Sequence, residues 1–480
     1  MRLGLTHRYA SLPERFHAAL PPTPVRDPRL VVFNRPLAAM LGLDVDVVER
    51  HAAQLFSGNE PPEDAKPVAM AYAGHQFGNF VPRLGDGRAI LLGELRGKDG
   101  MLRDVHLKGS GLTPYSRGGD GRAALGPMLR EYLVSEAMHA LGIPTTRSLA
   151  VVTTGEAVLR ERPLPGAVLT RIASSHIRVG TFQYFSARND EDGLRQLLDF
   201  VIDRHYPDAR DTANPALAVL RAVCNRQATL LADWLGVGFI HGVMNTDNMA
   251  LSGETIDFGP CAFLDTYSPD TVFSSIDHRG RYAYANQPAV AQWNLSRLAE
   301  TLLPLLDPDR DHAIALAEDA IQEFVNICET RLQARMRAKI GLVTADPEDH
   351  TLVNRLLAAM QESAADFTLT FRRLADAAED VHVQVPGIEG WLPTWRARLQ
   401  LESQQPRNRA AAMRRVNPAF IARNHRVEAA LKAASQDGNF SPFERLLTIL
   451  RQPYDEQPDA LEYARAPTHP ERVLNTFCGT

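Results

Sequence analysis

The chain has 480 residues, 45% of them hydrophobic and 23% charged, a balance that supports two or three packed cores and excludes disorder as the default. A formal net charge of -5 argues against general nucleic-acid binding, because the phosphate backbone would repel the protein as a whole. No stretch approaches the ~18 consecutive apolar residues needed to span a bilayer, and the opening MRLGLTHRYASLPERF lacks the apolar run of a secretory signal. A cytoplasmic monomer that acts on neither nucleic acid nor membrane is expected. The four cysteines, Cys224, Cys261, Cys328 and Cys478, show no C-x-x-C or Cys/His pairing, so neither a zinc site nor a disulfide scaffold is indicated.

In chain order, residues 1–70 are Pro-rich and loosely helical and read as an N-terminal extension. Residues 71–189 carry short Val/Leu/Ile runs broken by Gly or Pro, such as AILLGELRG, RDVHLKGSG, SLAVVTTG, EAVLRE and GAVLTRIA, which predict strands. One helix interrupts them, in LGPMLREYLVSEAMHALGIP: Pro127 suits a first turn, Leu129, Leu133, Met138 and Leu141 recur at helical spacing, and Gly142 with Pro144 stop it. Residues 190–345 are mostly helical and enclose an irregular polar passage. Residues 346–480 read as a helical C-terminal extension with a mobile tail.

The polar passage is GFIHGVMNTDNMAL followed by TIDFGP. It resembles the catalytic and metal-binding segment of a protein kinase, H-R-D-x-x-x-x-N then D-F-G, except that Val243 stands where the base aspartate belongs. Asn248 and Asp257 offer hard oxygen ligands nine residues apart, and the strand-like MAL and ETI pieces between them predict a hairpin that brings the two together. Such ligands suit Mg²⁺ or Mn²⁺ with nucleotide phosphates and water completing the shell.

Earlier in the chain, DVHLKGSG places Lys108 at the end of an apolar strand, and the following helix carries Glu131. A strand lysine held by a helix glutamate is the kinase arrangement for a nucleotide phosphate. RLGDGRAILLGELRG supplies Gly85, Gly87 and Arg88, whose amides and guanidinium suit phosphate oxygens. SRGGDGRAALG puts Asp120 and Gly121 in a loop before the helix, and VLTRIASSHIRVG spaces Arg171 and Arg178 seven apart; aimed inward, these arginines would bind a triphosphate. The layout predicts an α+β, protein-kinase-like bilobal fold: a β-rich lobe with one key helix, then a helical lobe.

The segments AYAGHQFGNFVPRLGDGRAILLGE, HLKGSGLTPYSRGGDGRAALGPMLREYLVSEAMHALGIPTTRSLAVV and HGVMNTDNMALSGETIDFGPCAFLD together resemble the selenoprotein O family, also called YdiU. The resemblance spans essentially the whole chain, including MRRVNPAFIARNHRVEAAL and a cysteine at the third-last position. It implies a kinase fold that binds ATP in reversed orientation and transfers AMP to Ser, Thr or Tyr hydroxyls of proteins, releasing pyrophosphate. It also implies nucleotide contacts at Gly85, Gly87, Arg88, Lys108, Asp120, Gly121, Arg171 and Arg178, with Glu131 as the lysine's partner. Metal falls on Asn248 and Asp257, and Asp247 becomes the proton acceptor. UTP stays open as an alternative donor. From the residues alone, a kinase-type phosphotransferase using Asp247, or an ATP-binding pseudokinase scaffold, stays open too.

The family often carries cysteine or selenocysteine near its C-terminus, which makes Cys478 a redox partner for Cys261 beside the metal loop, although Gly479 and Thr480 depart from the serines the family carries there. The six arginines in RNRAAAMRRVNPAFIARNHR read first as a solvated helix face. His241 is expected to buttress the metal loop, and His75 in YAGHQFGN has no assigned mechanism.

Overall fold

The Val/Leu/Ile runs pair into one antiparallel sheet in the computed structural model, which describes residues 1–477. The strands are β1 (His17–Ala19), β2 (Arg29–Phe33) and β3 (Val68–Met70), then a small separate hairpin of β4 (Gly74–Gln76) and β5 (Asn79–Val81). They continue with β6 (Ala89–Arg96), β7 (Leu102–Lys108), β8 (Ala123–Ala124), β9 (Arg147–Leu159) and β10 (Pro163–Ala173). The main sheet runs β1-β3-β6-β7-β10-β9-β2, with β8 on β10. The two sequence pieces SLAVVTTG and EAVLRE are one strand, β9, which passes through Gly155 at φ 69°.

The first 70 residues are not an appendage. β1 and β2 form the two edges of the sheet, and helices α1 (Arg35–Met40) and α2 (Val45–Ser57) cover one face. The side chains of Asn34 and Asp44 cap these helices by accepting from Leu37 N at 3.2 Å and Val47 N at 3.1 Å. Leu37, Leu55 and Phe56 pack in one apolar cluster with Ile90, Leu107 and Val168 of the sheet. The sequence hides these strands because they are short, proline-flanked and half-exposed, as edge strands are.

Against the other face lies α3 (Leu125–Ala140), with Pro127 in its first turn and Gly142 at φ 78° just beyond its end. Leu129, Tyr132, Leu133 and Met138 join Val151, Ala167 and Leu169 in the largest core cluster. Helices follow: α4 (Val179–Ser186), α5 (Glu191–His205) and α6 (Pro215–Val237), then β11 (Phe239–Ile240) pairing with β12 (Ala262–Phe263), then α7 (Gln287–Leu306) and α8 (Arg310–Lys339). Among the described residues no helix is long and apolar enough to cross a membrane.

Beyond α8 come α9 (Asp349–Glu362), α10 (Phe367–Glu379), α11 (Leu392–Leu399) and α12 (Pro406–Val416), which share a core around Phe371, Trp391 and Trp395. Helices α13 (Asn424–Asp437) and α14 (Ser441–Leu450) return to pack on α3, so the last third of the chain supports the helix that carries Glu131.

Two expectations are corrected here. The arginines of the 407–426 stretch are not simply a solvated face: Arg423 is buried and donates to Asp265 and Asp366 at 3.0 and 2.7 Å, Arg409 is buried against backbone carbonyls, and Arg414 pairs with Asp376 at 2.6 Å. Periodicity cannot separate a solvated arginine from one whose acidic partner comes from a distant helix. The MAL and ETI pieces also do not form a two-stranded hairpin. Ala250 bridges to Arg178 and Thr255 to Thr145 instead, so the backbone groups of the two pieces are taken up by the loops before α4 and after α3.

Candidate active site

One cavity of about 470 Å³ is lined by Gly85, Gly87, Arg88, Lys108, Asp120, Gly121, Glu131, Arg171, Arg178, Asp247, Asn248 and Asp257. These residues span more than 170 positions of sequence, and the fold brings them to a single wall-and-floor arrangement. The strand register does the first part. On β7 and β10, Lys108 pairs with Leu169 and Arg171 with His106, so the two cations arise on adjacent strands and reach across to α3.

There the Lys108 ammonium donates to Glu131 Oε2 at 2.7 Å, and Arg171 Nε donates to Glu131 Oε1 at 2.8 Å. Both cations also reach Asp257: Lys108 Nζ and Arg171 Nη2 each donate to its Oδ1 at 2.6 Å, and Arg178 Nη1 lies 3.4 Å from Oδ2. Burial pushes the Asp257 carboxyl up, but Arg171, Lys108 and Arg178 outweigh it and hold the group well below the usual carboxylate range. Glu131 is lowered in the same way, with Arg171 and Lys108 overcoming burial. Three buried cations thus face two carboxylates, an excess of positive charge that suits a polyanion.

Asp257 sits at φ 64°, a left-handed conformation that costs a non-glycine residue about 1–2 kcal/mol. His241 supports this turn from below: it is buried, and its Nε2 meets the carbonyl of Ile256 at 2.8 Å.

Asp247 lies in a tight turn, Thr246–Asn248. Its Oδ2 accepts from Gln76 Nε2 at 3.3 Å, and its backbone carbonyl accepts from Arg178 Nη1 at 2.8 Å. Its Oδ1 is buried and has no hydrogen-bond partner. Burial raises the carboxyl to about 6 against the opposing pull of Arg178, which moves it from an ordinary aspartate toward a usable proton acceptor. The space around it is tailored: a Cβ on Gly74 would stand 2.6 Å from Oδ1, so only glycine fits there.

Asn248 donates its amide nitrogen to the Val243 carbonyl at 2.9 Å, leaving its amide oxygen as the atom to offer a cation. Among the described residues no group of three or more His, Cys, Asp or Glu is gathered to hold a metal. A hard cation would therefore take Asn248 and Asp257, with the orphaned Asp247 Oδ1 beside them, and phosphate or water for the rest. That donor set is all oxygen and fits a divalent hard ion. Val243 lines the cavity and is buried.

At the opposite wall, Gly85 takes φ 67°, and a Cβ there would run into the Tyr115 ring at 2.3 Å. Asp120 pairs with Arg160 Nη1 at 2.8 Å and so stands at the cavity rim as half of an ion pair.

The sequence alone passed over several cavity residues. Arg160 carries no motif. Gln76 lies in the AYAGHQFGN segment, whose hairpin places His75 N on Thr246 Oγ1 at 2.7 Å and Phe77 N on Asn245 Oδ1 at 3.0 Å; this is the role that segment lacked. Asp86 and His106 also line the cavity, and the alternation of β7, which puts His106 on the same face as Lys108, was the signal available for finding the latter.

Cys261 does not line the cavity. It is buried beneath α3, its carbonyl accepts from Arg130 at 2.5 Å, and burial pushes its thiol up to about 11. Thr476 donates its hydroxyl to the carbonyl of Pro260, the residue before Cys261. Cys478 lies outside the described residues.

A sheet-backed cluster of cations and carboxylates opens on one polar cavity, an arrangement that suits a polyanion. The chain belongs to the family described as protein adenylyltransferase SelO, which matches residues 1–451. It is 60% identical to a protein nucleotidyltransferase YdiU of Rhizobium meliloti (strain 1021), with 98% of each chain covered. It is also 60% identical to the protein of that name in Rhizobium rhizogenes, covering 98% of this chain and 96% of the relative, and 58% identical to that of Agrobacterium fabrum, covering 98% and 99%.

Proposed function

We propose that the chain transfers AMP from ATP to Ser, Thr or Tyr hydroxyls of proteins and releases pyrophosphate, on a kinase-like two-lobed scaffold that holds the nucleotide reversed. The observation that carries this reading is the pairing, in one cavity, of a deep cluster of cations with a carboxylate oxygen, Asp247 Oδ1, that has no partner. Family membership supports the reaction class.

In this reading Lys108, Arg171 and Arg178 neutralise the β- and γ-phosphates, and Gly85, Gly87, Arg88 and Gly121 present amides and a guanidinium to the same chain. Asp120, bonded to Arg160, steadies the loop at the rim. Glu131 keeps Lys108 and Arg171 extended toward the ligand. The acceptor hydroxyl oxygen forms a bond to the α-phosphorus as the bond from that phosphorus to the bridging oxygen breaks. Pyrophosphate carries off the electron pair, and the hydroxyl proton passes to Asp247 Oδ1. Asn248 and Asp257 would hold Mg²⁺ or Mn²⁺, which supplies charge neutralisation at the reacting phosphate. Because Asp247 accepts the proton, the aspartate that Val243 replaces has no task.

The test follows the label. Incubation with a protein acceptor and α-labelled or γ-labelled ATP should place only the α-label in protein, with pyrophosphate released. Transfer of the γ-label would establish a kinase-type phosphotransferase, and transfer of neither would leave a nucleotide-binding scaffold. Repeating the assay with UTP and with each metal decides donor and cofactor.

The pairing of Cys261 with Cys478 under oxidation remains part of this reading. What supports it is the anchoring of Thr476 on Pro260; what opposes it is the burial of Cys261, since a thiol in apolar surroundings reacts slowly. Peptide mapping of oxidised protein should yield the linked peptide, and its absence removes the redox role without touching the transferase assignment.

A further inference from the structure

Two histidines that the proposed reaction does not use stack in the middle of the protein. The rings of His106, on β7, and His176, in the loop before α4, lie 4.0 Å apart and 24° from parallel. Both are buried, and each precedes a cation of the cavity by two residues, Lys108 and Arg178.

Each ring is tied to an aspartate. His106 Nε2 meets Asp86 Oδ2 at 3.2 Å, and the same oxygen accepts from Met70 N at 3.0 Å. Asp86 is the residue between Gly85 and Gly87, and its carbonyl accepts from Thr113 Oγ1 at 2.7 Å. On the other side, His176 Nδ1 meets Asp104 Oδ2 at 3.0 Å, an oxygen that also accepts from His176 N at 2.9 Å. Asp104 Oδ1 accepts from Arg204 Nη2 at 2.9 Å. Finally, the His176 carbonyl accepts from Arg178 Nε at 3.2 Å.

The chain of contacts therefore starts at the glycine turn of residues 85–88, crosses the two rings, and ends at the guanidinium of Arg178. Packing alone does not account for it. His106 Nδ1 and His176 Nε2 are buried without partners, a cost that two apolar side chains of like size would avoid. What apolar side chains cannot supply is a donor at Asp86 and another at Asp104, at opposite ends of a rigid stack.

We propose that the His106–His176 stack is a positioning unit: it sets the separation between the 85–88 turn and Arg178, and so matches the cavity to the triphosphate chain. This rests on the reading of the cavity as an ATP site. Neither histidine touches the reacting atoms. The unit acts by holding the two walls that grip the β- and γ-phosphates, and it has no bearing on the nucleoside.

The test is calorimetric binding of ATP and of AMP, with Mg²⁺, to the full chain. His106→Leu should weaken ATP about tenfold and AMP no more than about twofold, and His106→Gln, which keeps a donor at the place of Nε2 but removes the stacked ring, should recover part of that loss and still bind ATP several-fold more weakly than wild type. Unchanged ATP affinity in His106→Leu, or equal losses for ATP and AMP, overturns the proposal, as does wild-type ATP affinity in His106→Gln. If His106→Leu shows no cooperative melting transition, His176→Asn decides: it keeps the bond to Asp104 and removes the stack. A several-fold loss for ATP alone supports the unit, and no loss, or an equal one, overturns it. Absence of ATP binding by the wild type would instead overturn the ATP site itself, and this inference with it.

Discussion

Lys108 Nζ and Arg171 Nη2 donate to the same oxygen, Asp257 Oδ1, each at 2.6 Å. One carboxylate atom thus holds together a strand lysine, a neighbouring strand arginine and the loop that follows Asn248. Removing it leaves Glu131 alone to balance three buried cations. Asp257→Ala is therefore expected to lower α-label transfer by at least about a hundredfold, and excess chelator should do the same to the wild type. Circular dichroism and a cooperative melt check that the variant is folded; full labelling by folded variant would remove Asp257 from the reaction.

Val243→Asp tests the orientation of the nucleotide. Val243 lines the cavity and its carbonyl oxygen accepts from the Asn248 side-chain amide, so a carboxylate there stands where a kinase has its base. If the γ-phosphate lies among Lys108, Arg171 and Arg178, that carboxylate has no γ-phosphorus to serve. No γ-label should enter protein. Robust γ-transfer by this variant would falsify the reversed binding mode.

Arg178→Ala should weaken ATP about tenfold or more while leaving AMP within about threefold, because a charge-assisted contact to a β- or γ-phosphate is lost only by a nucleotide that has one. Arg171→Ala should show the same preference together with a lower melting temperature. Arg171 is almost fully buried between Glu131 and Asp257, and deleting one partner of a buried pair typically costs about 3–5 kcal/mol. Equal losses for ATP and AMP, read by calorimetry, would move both arginines off the polyphosphate.

Asp247 should make stability depend on pH in a defined sense. Its folded value is raised by burial from 3.8 to about 6, so the native state holds the proton more tightly than the unfolded chain. The favourable contribution is complete below 3.8 and is lost as pH rises through about 6. Asp247→Asn carries no such loss. In metal-free protein, its stability by urea unfolding should gain on the wild type by up to ~3 kcal/mol between pH 4 and pH 7, while α-label transfer falls sharply. A constant difference across that range would mean that Asp247 is not held in the buried state described.

The sequence was enough to bring out the chemistry that local order determines. Lys108 at the end of an apolar strand, Glu131 on a helix bounded by Pro127 and Gly142, and Asn248 with Asp257 around a turn all depend on periodicity and chain punctuation, which one sequence carries. The edges of the sheet were not legible, because β1 and β2 are short, flanked by proline and half-exposed. Nor were the partners of the site residues. That Asp247 keeps one bare oxygen follows from the burial made by Gly74, Gln76 and Arg178, which lie about 70 to 170 residues away in the chain. The His106–His176 stack likewise exists only once β7 and the loop before α4 are packed. Residue types and spacing determine which groups can do chemistry; only tertiary packing decides which are desolvated and which atoms are left without a partner, and those two properties set their charge and reach.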